Sequence, residues 1–372
     1  MSLPVAAARP LHVLALGGDG IGPEVTAEAL RILRTAIARF ALPVTIDEAS
    51  FGLATWQSRG TLLPPETDAA IERADAILFG AINSLDRAGI APEERLRGSL
   101  LTLRQRLGLF VNLRPIRTEV PLAEVSPYKA RVLKGVDLVI VRELSGGVYY
   151  GEPRGIEVMP YGQRRGVNTH VYTEDQIVRA TRFAFALARG RRGRITSVDK
   201  ANVMEAGALW RQVVMALHHD EFRDITLDHM LADTCAVMLS RDPARFDVVL
   251  TDNLFGDLLS HGAGALAGSL GMLPSASLAP PAPDGRRRAL YEPVHGAAPD
   301  IAGKGVANPL GAILSVALLL RWSAGAEVAA RAIEAAVSAA LVAGARSADI
   351  ALPGEAVLGT MAMGDAVLRQ MG

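Results

Sequence analysis

Cysteine is almost absent from the chain, since Cys235 is the only one among 372 residues. A single cysteine excludes an intrachain disulfide framework and suits a reducing cytoplasm, which is the predicted location. No apolar run reaches the roughly 18 residues that a membrane-spanning helix needs. Net charge is also lacking, because 39 Lys and Arg balance 39 Asp and Glu. We therefore expect a small-molecule partner, with no nucleic acid and no membrane involved.

Lysine is scarce as well, with only four, at positions 129, 134, 200 and 304. A guanidinium group keeps its proton, whereas a lysine ammonium can release one. Lys200 and Lys304 both lie in motif-like stretches, so each is a candidate for a role that needs a titratable amine; chance retention is the alternative. Hydrophobic residues, by contrast, make up 50% of the chain, which is enough for the cores of two domains.

The stretch from 246 to 261 combines an apolar strand pattern with a helical pattern that follows it directly. Asp252 and Asn253 offer N-cap chemistry at the junction. Asp257 and His261 are one helical turn apart, so they share a face and could bind a metal ion together. The alternative is an ordinary solvated helix face.

The remaining pattern is that of an α/β protein. Strands are predicted over 11–16, 76–79, 136–141, 194–198 and 246–250, with helical patterns between several of them. The glycine-rich turn at 17–23 follows the first strand and precedes a helix that runs to Phe40, but its spacing does not match G-x-G-x-x-G. Loops are predicted over 146–166 and 273–288.

Three arginines lie in apolar or strand-like surroundings, namely Arg104, Arg114 and Arg142. A guanidinium group binds a carboxylate through two parallel hydrogen bonds, so several of them would suit a substrate with two carboxylates. Arg142 is the best placed, because it ends a predicted strand, where α/β proteins hold their ligands. A solvated surface charge is the alternative for any single arginine.

Polar groups that could move protons or hold ions follow other predicted strands. A tyrosine in Gly-Gly-Val-Tyr-Tyr-Gly could donate a proton, or the segment could be an ordinary aromatic hairpin. Lys200 follows the strand at 194–198, where a helix-start salt bridge is the alternative to a base. Asp233 lies in a mostly apolar stretch, so we expect it to be paired or functional.

The order of these motifs resembles the β-decarboxylating dehydrogenases, the isocitrate/isopropylmalate dehydrogenase family. The resemblance covers about 11–364 and includes GGDGIGPE, LFVNLRP, GGVYYGEPRG, SVDKANV, DNLFGD and EPVHGAAPDIAGKGVANP. It implies NAD- and Mg²⁺- or Mn²⁺-dependent oxidative decarboxylation of a 3-substituted malate, with 3-isopropylmalate and leucine biosynthesis as the first expectation. The alternatives are D-malate, tartrate or a malate with an anionic side chain, or a catalytically silent paralogue.

The resemblance also implies residue roles. Tyr149 would be the general acid and Lys200 the base, with Lys200 acting in the partner subunit's site. The malate-binding arginines would be Arg104, Arg114 and Arg142. Asp257 would bind the metal together with the partner subunit's Asp233. Residues implied for the cofactor are Ile21, His295, Gly296, Ala298, Asp300, Ile301 and Asn308. A carboxylate at Asp300 would repel a 2′-phosphate, which favours NAD over NADP.

Two positions depart from the family pattern. His261 stands where the family usually has a second aspartate, so its part in metal binding is open. Arg97 stands where a glutamate is typical, beside Leu100 and Leu101, which match the leucine pair that accommodates an isopropyl group. Arg97 could meet an anionic substituent or simply point outward.

The implied fold has two α/β domains with the site in a central cleft. Domain 1, which binds the cofactor, would comprise 1–109 and 268–372, and domain 2, with the substrate, metal and dimer interface, 110–267. A β arm at about 148–168 would join two subunits of a homodimer.

Overall fold

The computed structural model of the chain describes residues 9–83 and 89–372; residues 1–8 and 84–88 of the predicted first domain lie outside it. The strands are β1 (Leu11–Gly18), β2 (Val44–Ala49), β3 (Ala76–Ala81), β4 (Val111–Arg117), β5 (Asp137–Glu143), β6 (Gly155–Val158), β7 (Arg164–Val167), β8 (Arg194–Asp199), β9 (Thr226–Leu231), β10 (Val248–Thr251), β11 (Pro274–Leu278) and β12 (Ala289–Pro293). The alternation of strands and helices confirms the predicted α/β class.

The helices are α1 (Gly22–Phe40), α2 (Leu53–Arg59), α3 (Pro65–Arg73), α4 (Pro92–Arg97), α5 (Leu100–Arg106), α6 (Ala130–Leu133), α7 (Glu174–Arg189), α8 (Glu205–Glu221), α9 (Ala232–Arg241), α10 (Asn253–Ala263), α11 (Leu310–Trp322), α12 (Glu327–Val342) and α13 (Thr360–Met371). Across 9–83 and 89–372, none of these helices has the length and apolar character needed to cross a membrane.

The chain divides into two compact units. Unit 1 contains residues up to Leu109, Thr118–Ala130 and Gly264–Gly372, and unit 2 contains Phe110–Arg117 and Arg131–Ala263. The segment 118–130 lies in unit 1, although the sequence-based division places it in domain 2. Ser126 Oγ donates to the carbonyl of Ala265 (2.8 Å), and the Arg346 guanidinium donates to the carbonyl of Pro121 (3.1 Å). These contacts hold the segment against unit 1.

Unit 1 is built on strands in the order β2-β1-β3-β12-β11, with β1 parallel to both its neighbours and β11 antiparallel to β12. Helices α1, α11, α12 and α13 pack together beside these strands. The buried face of α1 recurs at Val25, Ala29, Ile32 and Leu33, as its sequence period requires. Helix α11 is buried almost throughout, so it forms the centre of this core.

Unit 2 has the strand order β4-β5-β10-β8-β9, in which only β4 runs antiparallel to its neighbour. Thr251 of β10 pairs with Arg142 of β5 and with Val198 of β8, and Asp199 of β8 pairs with Leu231 of β9. The carboxyl ends of these four parallel strands are therefore level. Polar residues lie at each end or within two positions of it, which gathers the candidate site residues of this unit at one sheet edge.

A separate two-stranded antiparallel hairpin, β6 with β7, lies within the predicted arm. Its apolar side chains Ile156 and Val158 are largely exposed, and Tyr161 at its turn is fully exposed. The prediction of a loop over 273–288 is wrong for 274–278, because Pro274–Leu278 forms the fully buried strand β11. Ser and Ala fit there because β11 pairs closely with β12, and such small residues give no strand signal on their own.

Candidate active site

Asp257 lies at the centre of a cluster of charged groups in unit 2. Its Oδ1 accepts hydrogen bonds from Arg142 Nη1 (2.6 Å) and lies 3.1 Å from Arg114 Nη2, and its Oδ2 accepts from the Tyr149 hydroxyl (2.9 Å). Burial would raise the pKa of Asp257, but the guanidinium groups of Arg142 and Arg114 outweigh it, and the pKa is lowered. The carboxylate therefore stays ionised and is shared by three donors.

The positions of the two arginines follow from the sheet. Arg142 ends β5 and is only 2% exposed, and Arg114 is on the antiparallel neighbour β4. A Cβ added to Gly256 would lie 2.6 Å from Arg142 Cγ, so glycine is required there for α10 to approach the arginine. Two positive charges thus point from one sheet edge towards Asp257.

Uncharged side chains accept further hydrogen bonds from the nitrogens of these guanidinium groups. Arg142 Nε donates to Asn253 Oδ1 (2.9 Å), while Arg114 donates to Asn112 Oδ1 (2.8 Å) and to Ser260 Oγ (2.6 Å). Sequence reasoning did not single out these three partners as site residues. Asn112 could have been found from its spacing, because it lies two residues before Arg114 and therefore on the same face of the strand.

Tyr149 ends a single 3-10 turn, Gly147–Tyr149, that follows β5. The Arg142 guanidinium carbon lies 5.2 Å from the centre of the Tyr149 ring. Burial, together with the negative charge of Asp257, raises the pKa of Tyr149. The phenol therefore keeps its proton at neutral pH and can serve as a proton donor.

His261 lies one turn after Asp257 on α10 and is half-exposed. Its Nδ1 is 2.9 Å from the backbone carbonyl of Asp257 and 3.6 Å from the Asp257 carboxylate. Nδ1 also lies 3.3 Å from Arg114 Nη1, which can only donate, whereas the carbonyl can only accept, so the two contacts favour opposite tautomers. In the tautomer that carries the proton on Nδ1, Nε2 of His261 is the atom that can bind a metal ion.

Lys200 and Asp233 form a second pair in unit 2. Lys200 follows β8 and Asp233 begins α9, and Lys200 Nζ lies 2.9 Å from Asp233 Oδ1. This hydrogen bond lowers the pKa of Asp233. Within 9–83 and 89–372, no three His, Cys, Asp or Glu side chains form a group that could hold a metal ion. Asp233 is therefore not gathered with Asp257 and His261 in one chain.

The remaining candidate substrate residues lie in unit 1. Arg104 is buried, and its Nη2 lies 2.5 Å from Oε1 of Glu292, a buried residue of β12 that sequence reasoning did not assign to the site. Leu100 and Leu101 begin α5 and are half-buried, and Ser99 caps this helix by accepting from the Leu101 amide.

Arg97 lies apart from these groups, on the surface of unit 1. Its side chain is 48% exposed, and it donates to Glu94 (3.3 Å) and to the carbonyl of Leu63 (3.2 Å). Glu94 is itself held by the hydroxyl of Thr61 and the amide of Leu62. These contacts tie Arg97 to Glu94 of α4 and to the loop between α2 and α3.

The candidate cofactor residues surround a backbone contact in unit 1. The Ile21 amide donates to the carbonyl of Ala297 (2.8 Å), and a Cβ added to Gly20 would lie 1.9 Å from that oxygen. Ala298 adopts a left-handed conformation with φ of 40°, and Ile301 closes a turn back to it. Glycine at position 20 therefore lets the first loop touch the 295–308 segment.

Two of the candidate cofactor side chains are poised for a ligand. His295 Nδ1 contacts the carbonyl of Gly296 (2.9 Å), so Nε2 is an acceptor, and this buried atom has no hydrogen-bond partner among the residues that the structure describes. Burial lowers the pKa of His295, which keeps the ring neutral. Asp300 is exposed and offers a carboxylate. Both groups accept hydrogen bonds, as the amino and hydroxyl groups of a nucleoside require.

Asn308 has a different environment. It is buried, its Nδ2 donates to Asp349 (3.0 Å) and its Oδ1 accepts from the Leu310 amide (3.0 Å). Both ends of its amide are therefore used within unit 1.

The chemistry of the unit 2 cluster suits a divalent ion that prefers oxygen. Asp257 presents carboxylate oxygens, and Asp233 offers another carboxylate on the exposed first turn of α9. Mg²⁺ and Mn²⁺ favour such ligands over sulfur, and Cys235, the only cysteine, is buried. The residues present therefore fit a hard cation.

Comparisons with known proteins agree with this geometry. The family model described as isocitrate/isopropylmalate dehydrogenase matches residues 12–367. The chain is 54% identical to 3-isopropylmalate dehydrogenase 1 of Bradyrhizobium diazoefficiens, over 97% of this chain and 95% of the relative. It is 51% identical to 3-isopropylmalate dehydrogenase of Gluconobacter oxydans, over 96% and 97%.

Solved structures give the same result. The isocitrate dehydrogenase of Methylococcus capsulatus superposes with a TM-score of 0.84 at 31% identity, covering 97% of this chain and 99% of that one. A β-decarboxylating dehydrogenase of Thermococcus kodakarensis superposes with a TM-score of 0.72 at 33% identity, covering 97% and 96%.

Proposed function

Because the chain belongs to the isocitrate/isopropylmalate dehydrogenase family, we propose that it oxidatively decarboxylates 3-isopropylmalate to 2-oxoisocaproate in leucine biosynthesis. The observation that carries this proposal is the cluster in which Arg114, Arg142 and Tyr149 all contact the carboxylate of Asp257. Such a cluster combines anion-binding groups, a proton donor and a hard metal ligand.

The arginines bind the carboxylates of the substrate. Arg142 and Arg114 are buried, and neutral amide and hydroxyl groups orient their guanidinium groups, so both are preorganised for an incoming carboxylate. Arg104 contributes a third guanidinium group, held by Glu292. Leu100 and Leu101 receive the isopropyl group through apolar contact.

Two side chains move protons. Lys200 takes the proton from the C2 hydroxyl group as that carbon is oxidised, and Tyr149 delivers a proton to the carbon that has lost CO₂. The raised pKa of Tyr149 supports this donor role, since the phenol keeps its proton until the enolate forms. Lys200 is the only lysine within the candidate site of unit 2, where it contacts Asp233.

NAD and a divalent metal ion complete the chemistry: NAD supplies the hydride acceptor, and Mg²⁺ or Mn²⁺ supplies Lewis-acid polarisation of the substrate oxygen. Asp257 would hold the metal ion with Asp233 from a second copy of the chain, and His261 would add Nε2 as a further ligand in the tautomer with its proton on Nδ1. Ile21, His295, Gly296, Ala298, Asp300 and Ile301 would hold NAD by their side chains or backbone, and Asn308 would shape the loop from inside.

We further propose a cytoplasmic homodimer with shared sites. The exposed apolar residues Ile156, Val158 and Tyr161 of the β6–β7 hairpin support a role for this hairpin in joining two copies. Sharing would bring Lys200 and Asp233 of one chain to the Asp257 cluster of the other. The part of the chain that the structure describes holds no group of three His, Cys, Asp or Glu side chains that could bind a metal ion, which is consistent with this arrangement.

A malate with an anionic substituent is the weaker candidate. It depends on Arg97 meeting the substituent, but Arg97 donates to Glu94 and to the carbonyl of Leu63. Leaving these partners would cost Arg97 two hydrogen bonds, so an apolar substituent next to Leu100 and Leu101 is favoured.

The test is NADH formation by the purified protein with Mg²⁺ or Mn²⁺ and a panel of 3-isopropylmalate, D-malate, tartrate, isocitrate and homoisocitrate. We expect the highest kcat/KM with 3-isopropylmalate. Lys200→Met should abolish turnover, whereas the matched control Lys134→Met, at an exposed lysine of the same unit, should not. A preference for another malate would contradict the proposed substrate, and failure with every malate would contradict the enzyme assignment.

A further inference from the structure

Asn253 occupies an unusual position in unit 2, because both ends of its side-chain amide are used and each end contacts a different part of the candidate site. Its Oδ1 accepts from Arg142 Nε (2.9 Å), and its Nδ2 donates to the backbone carbonyl of Gly146 (3.0 Å). The residue is only 1% exposed. A buried amide that satisfies two partners fixes both of them in place.

The Gly146 end of this bridge leads directly to Tyr149. The Gly146 amide donates to the buried carboxylate of Glu143 (2.9 Å), so both sides of this residue are held. The Gly147 amide donates to the carbonyl of Val171 (2.9 Å), and the 3-10 turn Gly147–Tyr149 follows at once. The peptide group between Gly146 and Gly147 is therefore held at its carbonyl by Asn253 and at its amide by Val171, directly before the turn that sets the position of the phenol.

The Arg142 end leads to Asp257, since Arg142 Nη1 donates to this carboxylate. Asn253 is also the first residue of α10, the helix that carries Asp257, and its backbone amide donates to the hydroxyl of Tyr172 (2.8 Å). One residue thus touches the arginine, the tyrosine loop and the helix of the carboxylate.

We propose that Asn253 is a positioning residue that couples Arg142 to the loop carrying Tyr149. The inference rests on the proposed function, which gives Arg142 the substrate carboxylate and Tyr149 the final protonation. Without the Asn253 amide, Arg142 loses the acceptor of its Nε and the loop loses the donor that holds the Gly146 carbonyl. Substrate binding and the protonation step then both deteriorate, although Asn253 touches neither the substrate nor the reacting atoms.

Two variants distinguish the contact of Asn253 with Arg142 from its contact with the Gly146 carbonyl. Asn253→Leu has a similar size and loses both hydrogen bonds. Asn253→Asp keeps an oxygen for Arg142 but places a second oxygen, which cannot donate, against the carbonyl of Gly146. Affinity is measured by calorimetry with 3-isopropylmalate and Mg²⁺ in the absence of nucleotide, where no turnover occurs, and kcat is measured with NAD.

We expect Asn253→Leu to weaken binding about tenfold and to lower kcat about tenfold, the effect of losing a buried hydrogen bond at each end. Asn253→Asp should restore the affinity to within about threefold of the wild type while kcat stays low, because only the Arg142 contact is recovered. If Asn253→Asp restores both the substrate affinity and kcat, or restores neither of them, the proposed role of Asn253 is refuted.

Asp247→Asn is the matched control for a purely structural effect. Asp247 is another fully buried polar residue, just before β10, whereas Asn253 lies just beyond the other end of that strand. It accepts from Arg191 Nε (2.8 Å) and the Arg192 amide (2.9 Å). We expect this variant to be less stable than the wild type but to keep the wild-type substrate affinity and kcat. If it reproduces the losses of Asn253→Leu, Asn253 acts only through stability.

Hydrogen exchange provides a readout that needs no substrate. The amides of 145–150 should exchange faster in both Asn253 variants and at the wild-type rate in Asp247→Asn. If the wild-type protein does not turn over 3-isopropylmalate, the proposed function fails while this measurement still decides the role of Asn253. Unchanged exchange of these amides in the Asn253 variants would refute the inference whatever the enzyme turns over.

Discussion

The buried ion pair between Arg104 and Glu292 makes a quantitative prediction for unit 1. Both side chains are 9% exposed and their charged atoms are 2.5 Å apart. Removing one partner of such a pair leaves a buried charge without its counterion and typically costs about 3–5 kcal/mol, whereas replacing both partners with apolar groups is often neutral. We therefore expect Glu292→Leu to destabilise unit 1 by about 3 kcal/mol or more.

The double variant provides the decisive comparison. Arg104→Met combined with Glu292→Leu should lose less stability than Glu292→Leu alone, because no uncompensated charge remains. Native-state hydrogen exchange of the β3 and β12 amides is the suitable assay, since it reports the stability of unit 1 separately from that of unit 2.

An exposed ion pair of the same unit serves as the control. Glu72 contacts Arg106 and Arg288, and about half of its side chain is exposed. Glu72→Gln should therefore cost less than about 1 kcal/mol. The single variants Arg104→Met and Glu292→Leu each lose stability. If these two losses simply add in the double variant, the two residues are not coupled and the prediction is wrong.

Three further predictions concern separate groups. Burial and the nearby Arg211 lower the pKa of His229, so the unfolded chain binds more protons than the folded one as the pH falls below about 6.5. The free energy of unfolding should therefore decline between about pH 7 and 5. His229→Leu should flatten this decline, which urea unfolding at several pH values would measure. An unchanged slope would contradict that cause. Burial raises the pKa of the Cys235 thiol to about 12, so a thiol-reactive dye should label it only after unfolding, and fast labelling of the native protein would show that the thiol is accessible. Asp300→Asn should reduce the preference for NAD over NADP about tenfold in kcat/KM, by removing a charge that repels the 2′-phosphate; an unchanged ratio would place Asp300 away from the ribose.

The features that could be predicted from the sequence are those that depend on short-range pattern. The strand at 246–250 and the helix after it were recognisable, because apolar and capping residues follow each other within a few positions. The structure has β10 and α10 there, and Asp252 Oδ1 accepts from the Phe255 amide (2.7 Å) at the start of α10. The contact between Asp257 and His261 follows from one helical turn in the same way.

The partners of the site residues could not be predicted, because they come together only through the tertiary fold. Asn253 is 111 positions from Arg142, and Glu292 is 188 positions from Arg104. Neither pair has a local signature, since the register of the sheets decides which side chains meet. Strand β11 was missed for a related reason: its two serines and its alanine are buried by their neighbours and carry no strand preference.

In the proposed enzyme, the Asp257 cluster of one chain works with Lys200 of another. Subunit mixing tests it most directly. Tyr149→Phe and Lys200→Met are each expected to be inactive with 3-isopropylmalate, NAD and Mg²⁺. Refolded together in equal amounts, they should regain about a quarter of the wild-type activity, because half of the dimers then contain one intact site. A mixture that stays as inactive as the separate variants would contradict a site shared between two subunits.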